Sequence, residues 1–382
     1  MVRYLEGNRL QLLRSGAEYF PALEREIAAA RLEVRLESYI YAGDETGRRI
    51  TEVLCNAARR GVAVYVVVDG FGASDMPAAF REQLTEAGAR VLVFRPELSR
   101  FRFRRHRLRR MHRKLAVIDA RVAFIGGINV IDDDPPSMPA RHDYAVKVQG
   151  PLLGPIHRDV ERLWSQVAWV SLRRRWRAER RIAADTSPAG TQRAAYVVRD
   201  NIRHRNDIEE AYLAAIDAAR EEIIIAAAYF FPGLRFRRAL VRAAQRGVRV
   251  ALLLQGRVEY LLQHYASRAL YGSLLDAGVE IHEYHKSFLH AKVAVVDGLW
   301  TTVGSSNIDP FSLMLAREAN IVASDVRFGE ELRASLHQAM EEGAQLLPLA
   351  RWLHRPWWER MPIWIAYGIA RALMGITGYG AK

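Results

Sequence analysis

The chain has 382 residues, of which half are hydrophobic and 26% are charged, so it is a globular protein large enough for two domains. Its formal net charge of +13 predicts attraction to a polyanion, either nucleic acid or an anionic membrane surface, unless the excess charge is only solvated. The single cysteine, Cys55, excludes an internal disulfide and a cysteine-based zinc site. Residues 1–8 contain no apolar segment, and we therefore expect neither a secretory signal nor an N-terminal anchor.

Strands and helices alternate along the first half of the chain. The helical spacing of apolar residues predicts helices over residues 16–31, 46–60, 80–87 and 156–170. Alternating or continuous apolar runs predict strands over residues 34–42, 62–69 and 91–94. This alternation indicates an α/β layered domain.

The second half repeats the same order. Helices are predicted over residues 211–220, 237–246 and 327–342, and strands over residues 222–230 and 248–254. The stretch Ala-Arg-Arg-Gly-Val-Ala-Val at 58–64 matches Ala-Gln-Arg-Gly-Val-Arg-Val at 244–250, which indicates an internal duplication about half the chain long. A linker sequence, Thr-Ser-Pro-Ala-Gly at 186–190, sets the boundary. We therefore expect one half over residues 1–185 and another over residues 186–350.

Residues 351–382 form a Trp-rich, apolar C-terminal tail. Residues 361–380 are almost long enough to span a bilayer, but Arg371 and four glycines argue against a transmembrane segment. Two interpretations stay open: a segment that lies in the membrane interface, and a helix packed on the domains.

One constellation occurs once in each half: a histidine, a lysine two residues later, and an aspartate five residues after the lysine. Its members are His112, Lys114 and Asp119 in the first half and His290, Lys292 and Asp297 in the second. The chain has five lysines against fifty-one arginines, and two of the five occupy this position, which favours a compact ammonium over a guanidinium. On an extended strand the histidine and the lysine project to the same side.

Each motif is predicted to lie on the first arm of a β-hairpin, because a turn sequence and a second apolar arm follow it. The second arms end in Gly126-Gly127-Ile-Asn129 and in Gly304-Ser305-Ser306-Asn307, seventeen residues after the histidine in both copies. Glycine lets the backbone approach a ligand closely. Substrate-binding donors are expected from Asn129, Ser305 and Asn307.

A basic run precedes the first motif and has no counterpart before the second. It spans Arg100 to Arg110 and reads Arg-Phe-Arg-Phe-Arg-Arg-His-Arg-Leu-Arg-Arg. Such a run could grip phosphate headgroups or a nucleic-acid backbone, or it could be a solvated loop.

Two imidazoles and two ammonium groups favour an anion site over a metal site, because a charged lysine repels a cation. A phosphodiester fits such a site: one imidazole can attack phosphorus while the other protonates the leaving oxygen. The lysines and asparagines would hold the non-bridging oxygens. Asp143 and Glu318, which follow the two hairpins, are the candidates for orienting the histidines. We predict neither a metal nor a cofactor.

At these residues the chain resembles the phospholipase D superfamily, whose signature is His-x-Lys-x4-Asp followed by Gly-Ser/Gly-x-Asn, present twice. The stretches 110–119, 124–129, 143–151 and 303–313 are similar to bacterial cardiolipin synthases of the shorter type without N-terminal membrane helices. The resemblance extends over nearly the whole chain from Gly7. It implies an α/β fold of two pseudo-symmetric halves, each a mixed β-sheet flanked by helices, with the active site at their interface.

The resemblance also implies a reaction. One histidine would take the phosphatidyl group from a donor phospholipid, and a phosphatidylglycerol hydroxyl would accept it, giving cardiolipin without a metal or nucleotide. The family assigns the nucleophile to the first motif, here His112, and the acid to His290, although nothing in this sequence alone ranks them. Asp119 and Asp297 would order the turn. The chain departs from the family at Ala316, where an asparagine often precedes the glutamate by two residues.

Other functions use the same chemistry. A phospholipase that releases a headgroup to water and a nuclease are the alternatives, whereas a non-catalytic membrane-binding module is disfavoured because both copies keep every motif residue. The expected partners are phosphatidylglycerol, phosphatidylethanolamine as a further donor, and an anionic membrane surface. The Trp-rich tail favours lipid over nucleic acid. We expect a peripheral protein at the cytoplasmic face of the bacterial cell membrane.

Overall fold

A computed structural model describes residues 2–96, 110–134, 140–173, 176, 182–200, 203–309, 316–354 and 356–377. The basic run therefore lies outside the described residues except for Arg110. The strands are β1 (Leu5–Arg14), β2 (Glu33–Ser38), β3 (Ala63–Asp69), β4 (Arg90–Phe94), β5 (Leu115–Ile118), β6 (Val122–Gly126), β7 (Arg141–His142), β8 (Tyr144–Gln149), β9 (Gln192–Arg199), β10 (Glu222–Ala227), β11 (Arg249–Gln255), β12 (Glu280–Tyr284), β13 (Phe288–Leu289), β14 (Lys292–Val296), β15 (Trp300–Gly304), β16 (Glu318–Ser324) and β17 (Ala344–Leu346). The helices are α1 (Ser15–Ala29), α2 (Glu45–Arg59), α3 (Ala78–Glu86), α4 (Leu153–Val170), α5 (Asp207–Ala218), α6 (Leu234–Gln245), α7 (Leu261–Arg268), α8 (Tyr271–Asp276), α9 (Val326–Gly343), α10 (Leu349–Leu353) and α11 (Trp357–Thr377).

One mixed sheet runs through both halves, and its strand order is duplicated. The order is β17-β12-β11-β10-β14-β15-β16-β9-β1-β8-β6-β5-β2-β3-β4, with β9 and β1 antiparallel at the centre. Outward from β1 the sequence β8, β6, β5, β2, β3, β4 corresponds strand by strand to β16, β15, β14, β10, β11, β12 outward from β9. This correspondence confirms the predicted α/β fold of two pseudo-symmetric halves.

Helices cover both faces of the sheet in each half. In the first half α1, α2 and α3 pack on one face, with Leu23 and Ile50 fully buried, and α4 packs on the other through Trp164. In the second half α5, α6 and α8 cover one face, and α9 covers the other with Phe328 and Leu332. Burial of each such side chain contributes about 1.5–3 kcal/mol, which makes the sheet a rigid support for the residues at its seam.

Two predicted strands end earlier than expected. β2 stops at Ser38 and β10 at Ala227, and beyond these residues isolated bridges join Tyr41 to Val130 and Phe230 to Ile308, which follow the second arms of the hairpins. The amide of Ile40 donates to Asn129 Oδ1 at 3.0 Å, and the amide of Ala228 donates to the carbonyl of Ala291 at 2.9 Å. The segments that leave the sheet therefore line the seam where the motifs lie.

The tail contains helix α11, which packs on the second half through one face only. Ala366 and Ala370 are buried against Ala266 of α7, as the packed-helix interpretation expects. The opposite face exposes large apolar side chains, namely Trp357, Trp358, Met361, Trp364, Ile365 and Ile369. Among the described helices, none combines the length and the apolar character that crossing a membrane requires.

Candidate active site

The two motif segments are held at the seam between the halves by reciprocal backbone hydrogen bonds. The amide of His112 donates to the carbonyl of Arg317 (3.0 Å), and the amide of His290 donates to the carbonyl of His142 (2.8 Å). Strand β13, which precedes His290, pairs in parallel with β7 of the first half. Each histidine therefore lies beside the backbone of the opposite half.

A carboxylate of the second half orients His112. Nδ1 of His112 lies 2.9 and 3.2 Å from the two carboxylate oxygens of the buried Glu318. Nε2 is therefore the ring nitrogen that can react with a substrate. The hydroxyl of Ser305 donates to Glu318 Oε2 at 2.6 Å. Because serine has a single donor, this bond places Ser305, a predicted substrate-binding residue, behind the carboxylate.

A carboxylate of the first half orients His290. Asp143 Oδ2 lies 2.6 Å from Nδ1 of His290, and Lys292 Nζ lies 2.9 Å from the same nitrogen. A Cβ atom at Gly127 would stand 2.3 Å from Asp143 Oδ1. The position that corresponds to Ser305 must therefore be glycine in this half.

The motif lysines are buried and act on both histidines. Lys114 Nζ donates to the carbonyl of His112 at 2.6 Å, and Lys292 Nζ donates to the carbonyl of His290. Burial lowers the pKa of both lysines, and the charge of Lys292 lowers the pKa of Lys114 further. The charge of each lysine also lowers the pKa of the histidine in the opposite half.

Burial of the two imidazoles lowers the pKa of each and so favours their neutral forms. Burial lowers the pKa of His112, although Glu318 opposes the shift. Burial and then Lys292 lower the pKa of His290 to about 3 against the opposing charge of Asp143. Burial would raise the pKa of Asp143, but Lys292 and His290 hold it below its ordinary value. A neutral imidazole is the form that attacks phosphorus, and an anionic ligand would favour protonation of its partner.

The motif aspartates lie at the other end of their strands from the histidines. Asp119 follows β5 and Asp297 follows β14, both with left-handed backbone (φ 49° and 51°). Their carboxylates accept hydrogen bonds of 2.7–3.2 Å from backbone amides, those of Arg31, Leu32 and Glu33 for Asp119 and those of Arg220, Glu221 and Glu222 for Asp297. These bonds tie each turn to the start of the neighbouring strand, and neither carboxylate lies beside a motif histidine.

The two asparagines occupy equivalent, buried positions beside the hairpins. Asn129 uses its carbonyl oxygen to accept from Ile40, which leaves its side-chain NH₂ as a donor. Asn307 lies next to the bridge between Phe230 and Ile308, just as Asn129 lies next to the bridge between Tyr41 and Val130. Their contact with substrate stays a prediction.

A buried ion network supports the first motif and was missed by sequence reasoning. Arg113, between the motif histidine and lysine, pairs with Glu37 at 2.7 Å and with Asp159 of α4. Burial raises the pKa of Glu37 to about 7, although Arg113 opposes the shift. The equivalent residue of the second half is the buried Ala291. A charged residue in an otherwise apolar strand was the available signal.

Tyr39 and Asp69 complete the surroundings of His112. The ring of Tyr39 meets that of His112 edge-on at 4.8 Å and lies 5.2 Å from Lys114 Nζ. Asp69 accepts from the amide of Met111 at 2.9 Å and lies 3.8 Å from Arg110. Neither residue has a sequence signal of its own, because single tyrosines and aspartates at strand ends are common.

The fold and the site define a class of protein: a duplicated α/β fold in which each half brings one histidine–lysine motif to the seam and supplies a carboxylate to the histidine of the other half. The model of the family described as cardiolipin synthase, PLD-like domain, matches residues 23–164 and 212–340. The chain is 40% identical over 377 residues to cardiolipin synthase B of Escherichia coli strain K12, covering 98% of the chain and 90% of that protein. Cardiolipin synthase A of Erwinia tasmaniensis is 32% identical over 373 residues, which cover 94% of this chain and 74% of that protein. The chain belongs to the cardiolipin synthase family of the phospholipase D superfamily and is an enzyme of the phospholipid synthase type.

Solved structures share the fold at low sequence identity. Phosphatidylserine synthase of Haemophilus influenzae superposes with a TM-score of 0.69 at 13% identity, over 91% of this chain and 89% of its own. Polyphosphate kinase of Porphyromonas gingivalis gives a TM-score of 0.59 at 15% identity, over 90% of this chain and 49% of its own. These likenesses concern the fold alone.

Proposed function

We propose that the protein is a cardiolipin synthase that transfers a phosphatidyl group from a donor phospholipid to phosphatidylglycerol through a phosphohistidine. The observation that carries the proposal is the crossed pair of histidine–carboxylate dyads, His112 with Glu318 and His290 with Asp143, beside two buried lysines. The 40% identity to cardiolipin synthase B over nearly the whole chain supports the same reaction.

The first step breaks the bond between phosphorus and the donor headgroup. Nε2 of the nucleophilic histidine forms the N–P bond, and the leaving oxygen takes a proton from the other imidazolium. With phosphatidylglycerol as donor, the leaving group is glycerol. Lys114 and Lys292 stabilise the charge on the non-bridging oxygens in a site from which water is largely excluded.

The second step reverses these roles. A hydroxyl of phosphatidylglycerol gives its proton to the second histidine, its oxygen bonds to phosphorus, and the N–P bond breaks. Cardiolipin leaves and the nucleophile is neutral again, and the proton that the second histidine takes from the acceptor replaces the one that it gave to the leaving group.

The resemblance assigns the nucleophile to His112, whereas one contact favours His290. Lys292 Nζ lies 2.9 Å from Nδ1 of His290 and opposes its protonation, which suits a histidine that attacks as a neutral base. Nδ1 of His112 contacts both oxygens of Glu318, a partner that stabilises an imidazolium. Trapping of the intermediate, described below, decides between the two.

The proposed enzyme works at the cytoplasmic face of the cell membrane as a peripheral protein. The exposed apolar face of α11, with Trp364 and Ile365 at its middle, fits the interface of a bilayer, and the net charge of +13 favours an anionic one. We propose that this face of α11 rests on the lipid surface and holds the site close to its substrates.

The reaction is tested with the purified protein and vesicles of phosphatidylglycerol, with products resolved by mass spectrometry. Formation of cardiolipin and glycerol is expected. Phosphatidic acid without cardiolipin would overturn the proposal in favour of a phospholipase, and absence of lipid turnover together with DNA cleavage would indicate a nuclease.

Membrane contact through α11 is tested by co-sedimentation with the same vesicles. The double variant Trp364→Ser/Ile365→Ser is expected to bind at least about tenfold more weakly, because two apolar side chains no longer enter the interface. Leu299→Ser, at the exposed turn between β14 and β15, is the matched control. Equal binding of both variants would contradict the role of this face.

A further inference from the structure

A shallow cleft beside the second motif is not used by the reaction described above. Tyr229, Glu259 and Tyr260 line it. Tyr229 directly follows Ala228, whose amide donates to the carbonyl of Ala291 between the motif histidine and lysine. The cleft is therefore attached to the backbone of the catalytic hairpin.

The cleft combines a carboxylate with two aromatic rings. The hydroxyl of Tyr229 donates to Glu259 at 2.6 Å, and the rings of Tyr229 and Tyr260 are 5.9 Å apart. Glu259 is exposed and forms no ion pair with a basic side chain in the described part of the chain. A solvent-facing carboxylate that already accepts one hydroxyl has further lone pairs for the hydroxyls of a ligand.

Arg141 supplies a cation beside the second motif, because its strand pairs with β13, which leads directly into His290. Arg141 lies on β7 opposite Phe288 and two residues before Asp143, the carboxylate that orients His290. Residues two apart on an extended segment project to the same side, so Arg141 projects to the side of Asp143. Burial raises the pKa of Tyr229 and Tyr260, Glu259 adds to the rise, and Arg141 opposes it. Among the residues the structure describes, its guanidinium has no carboxylate within ion-pair distance.

The cleft also borders apolar surface. Val258, Tyr260 and Leu261 are 47%, 58% and 66% exposed, and Leu261 begins α7, the helix on which α11 packs. A ligand whose polar headgroup enters the cleft can therefore keep its hydrocarbon part against the apolar side, as a phospholipid in a bilayer would.

We propose that the acceptor lipid binds to a site formed by Arg141, Tyr229, Glu259 and Tyr260. Arg141 would pair with the phosphodiester of the acceptor itself. Glu259 and Tyr229 would form hydrogen bonds with the hydroxyls of its headgroup. The inference rests on the proposed function and deepens it. The phosphorus that reacts comes from the donor, so an acceptor such as phosphatidylglycerol brings a second negative charge, one glycerol length from its reacting hydroxyl. A transferase needs a second cation for that charge, whereas a hydrolase, whose acceptor is water, does not.

The test compares two acceptors of the same intermediate in one preparation of phosphatidylglycerol vesicles. Cardiolipin formation uses a phosphate-bearing acceptor, and incorporation of labelled glycerol into phosphatidylglycerol uses an acceptor without phosphate. Arg141→Gln is expected to lower the rate of cardiolipin formation at least about tenfold, because one charge-assisted contact is lost. The rate of glycerol incorporation is expected to stay within about twofold of the wild-type rate. Glu259→Gln is expected to lower both rates, because both acceptors bring hydroxyls.

Arg238→Gln, on the exposed side of α6, is the matched control and is expected to change neither rate. Equal losses of both rates in Arg141→Gln, or unchanged cardiolipin formation, would overturn the acceptor site while the proposed function stands. A wild-type protein that incorporates glycerol but forms no cardiolipin would overturn the proposed function itself, and the acceptor site with it. Far-ultraviolet circular dichroism and the unfolding temperature of each variant establish that the fold is intact.

Discussion

The two halves of the molecule agree in the residues that they bring to the seam and differ in the residues that support them. Both supply a histidine, a buried lysine and an asparagine at the same spacing, and both supply a carboxylate to the other half's histidine. Behind the carboxylates, however, Ser305 donates to Glu318, whereas Gly127 makes room for Asp143. The reacting groups are thus duplicated, while their supports have diverged.

A second difference lies between the motif histidine and lysine. The first half has Arg113 there, paired with Glu37 and Asp159, and the second half has Ala291 in an apolar core. Since one half uses charge and the other packing to hold the same hairpin, the two histidines stand in different electrostatic surroundings. In the proposed mechanism, this difference would let one histidine act as nucleophile and the other as acid.

Removing each motif histidine in turn is expected to have the largest effect and compares the two halves directly. His112→Ala and His290→Ala are each expected to lower the rate of cardiolipin formation at least about 10³-fold, because nucleophile and acid are both required. Enzyme that is quenched with denaturant at neutral to mildly alkaline pH, where an N–P bond persists, and is then digested and examined by mass spectrometry should carry the phosphatidyl group on a single histidine. Full activity in either variant would refute the two-histidine mechanism.

Gly127 and Ser305 occupy equivalent positions beside the two carboxylates, and exchanging the two residue types tests how much each contributes. Gly127→Ser is expected to lower kcat about 10²-fold, since its Cβ would collide with Asp143 and displace the carboxylate from His290. Ser305→Gly removes one hydrogen bond to Glu318 and is expected to lower kcat about tenfold. Equal effects of the two exchanges in steady-state assays would contradict the proposed difference.

Stability should separate the halves as well. Arg113→Ala leaves Glu37 without its partner in a buried site, and we expect a loss of about 3 kcal/mol in the free energy of unfolding. Ala291→Gly, at the equivalent position, is expected to cost only about 1 kcal/mol. Urea unfolding followed by circular dichroism measures both, and a smaller loss for Arg113→Ala than for Ala291→Gly would show that the ion network does not support the hairpin.

The two halves should also differ in the pH dependence of stability. The pKa of His290 is lowered to about 3 in the folded protein, so its neutral form contributes stability that is complete above the ordinary histidine value near 6.5 and is lost as the pH falls below it. Glu37, whose pKa is raised to about 7, acts in the opposite sense. His290→Ala should therefore lose less stability than the wild type between about pH 6.5 and pH 4. Parallel unfolding temperatures over this range would contradict the assignment.

Much of this architecture could be read from the sequence. The alternation of patterns gave the α/β class, the repeated motif gave the duplication, and the seventeen-residue spacing from histidine to asparagine gave both hairpins. The central strands β1 and β9 were not predicted, and the crossed pairing of carboxylates was not either. His112 and Glu318 are 206 residues apart, and no local pattern encodes which histidine a distant carboxylate will reach. The cleft lined by Tyr229, Glu259 and Tyr260 was missed for the same reason.

The crossed carboxylates also bear on how such a chain arose. Glu318 serves His112 and Asp143 serves His290, so a single repeat would hold an imidazole without its orienting group. An ancestor with one repeat would have needed two identical copies around a molecular dyad to complete the chemistry. Fusion of the copies into one polypeptide released them from symmetry, since a substitution no longer had to be tolerated twice.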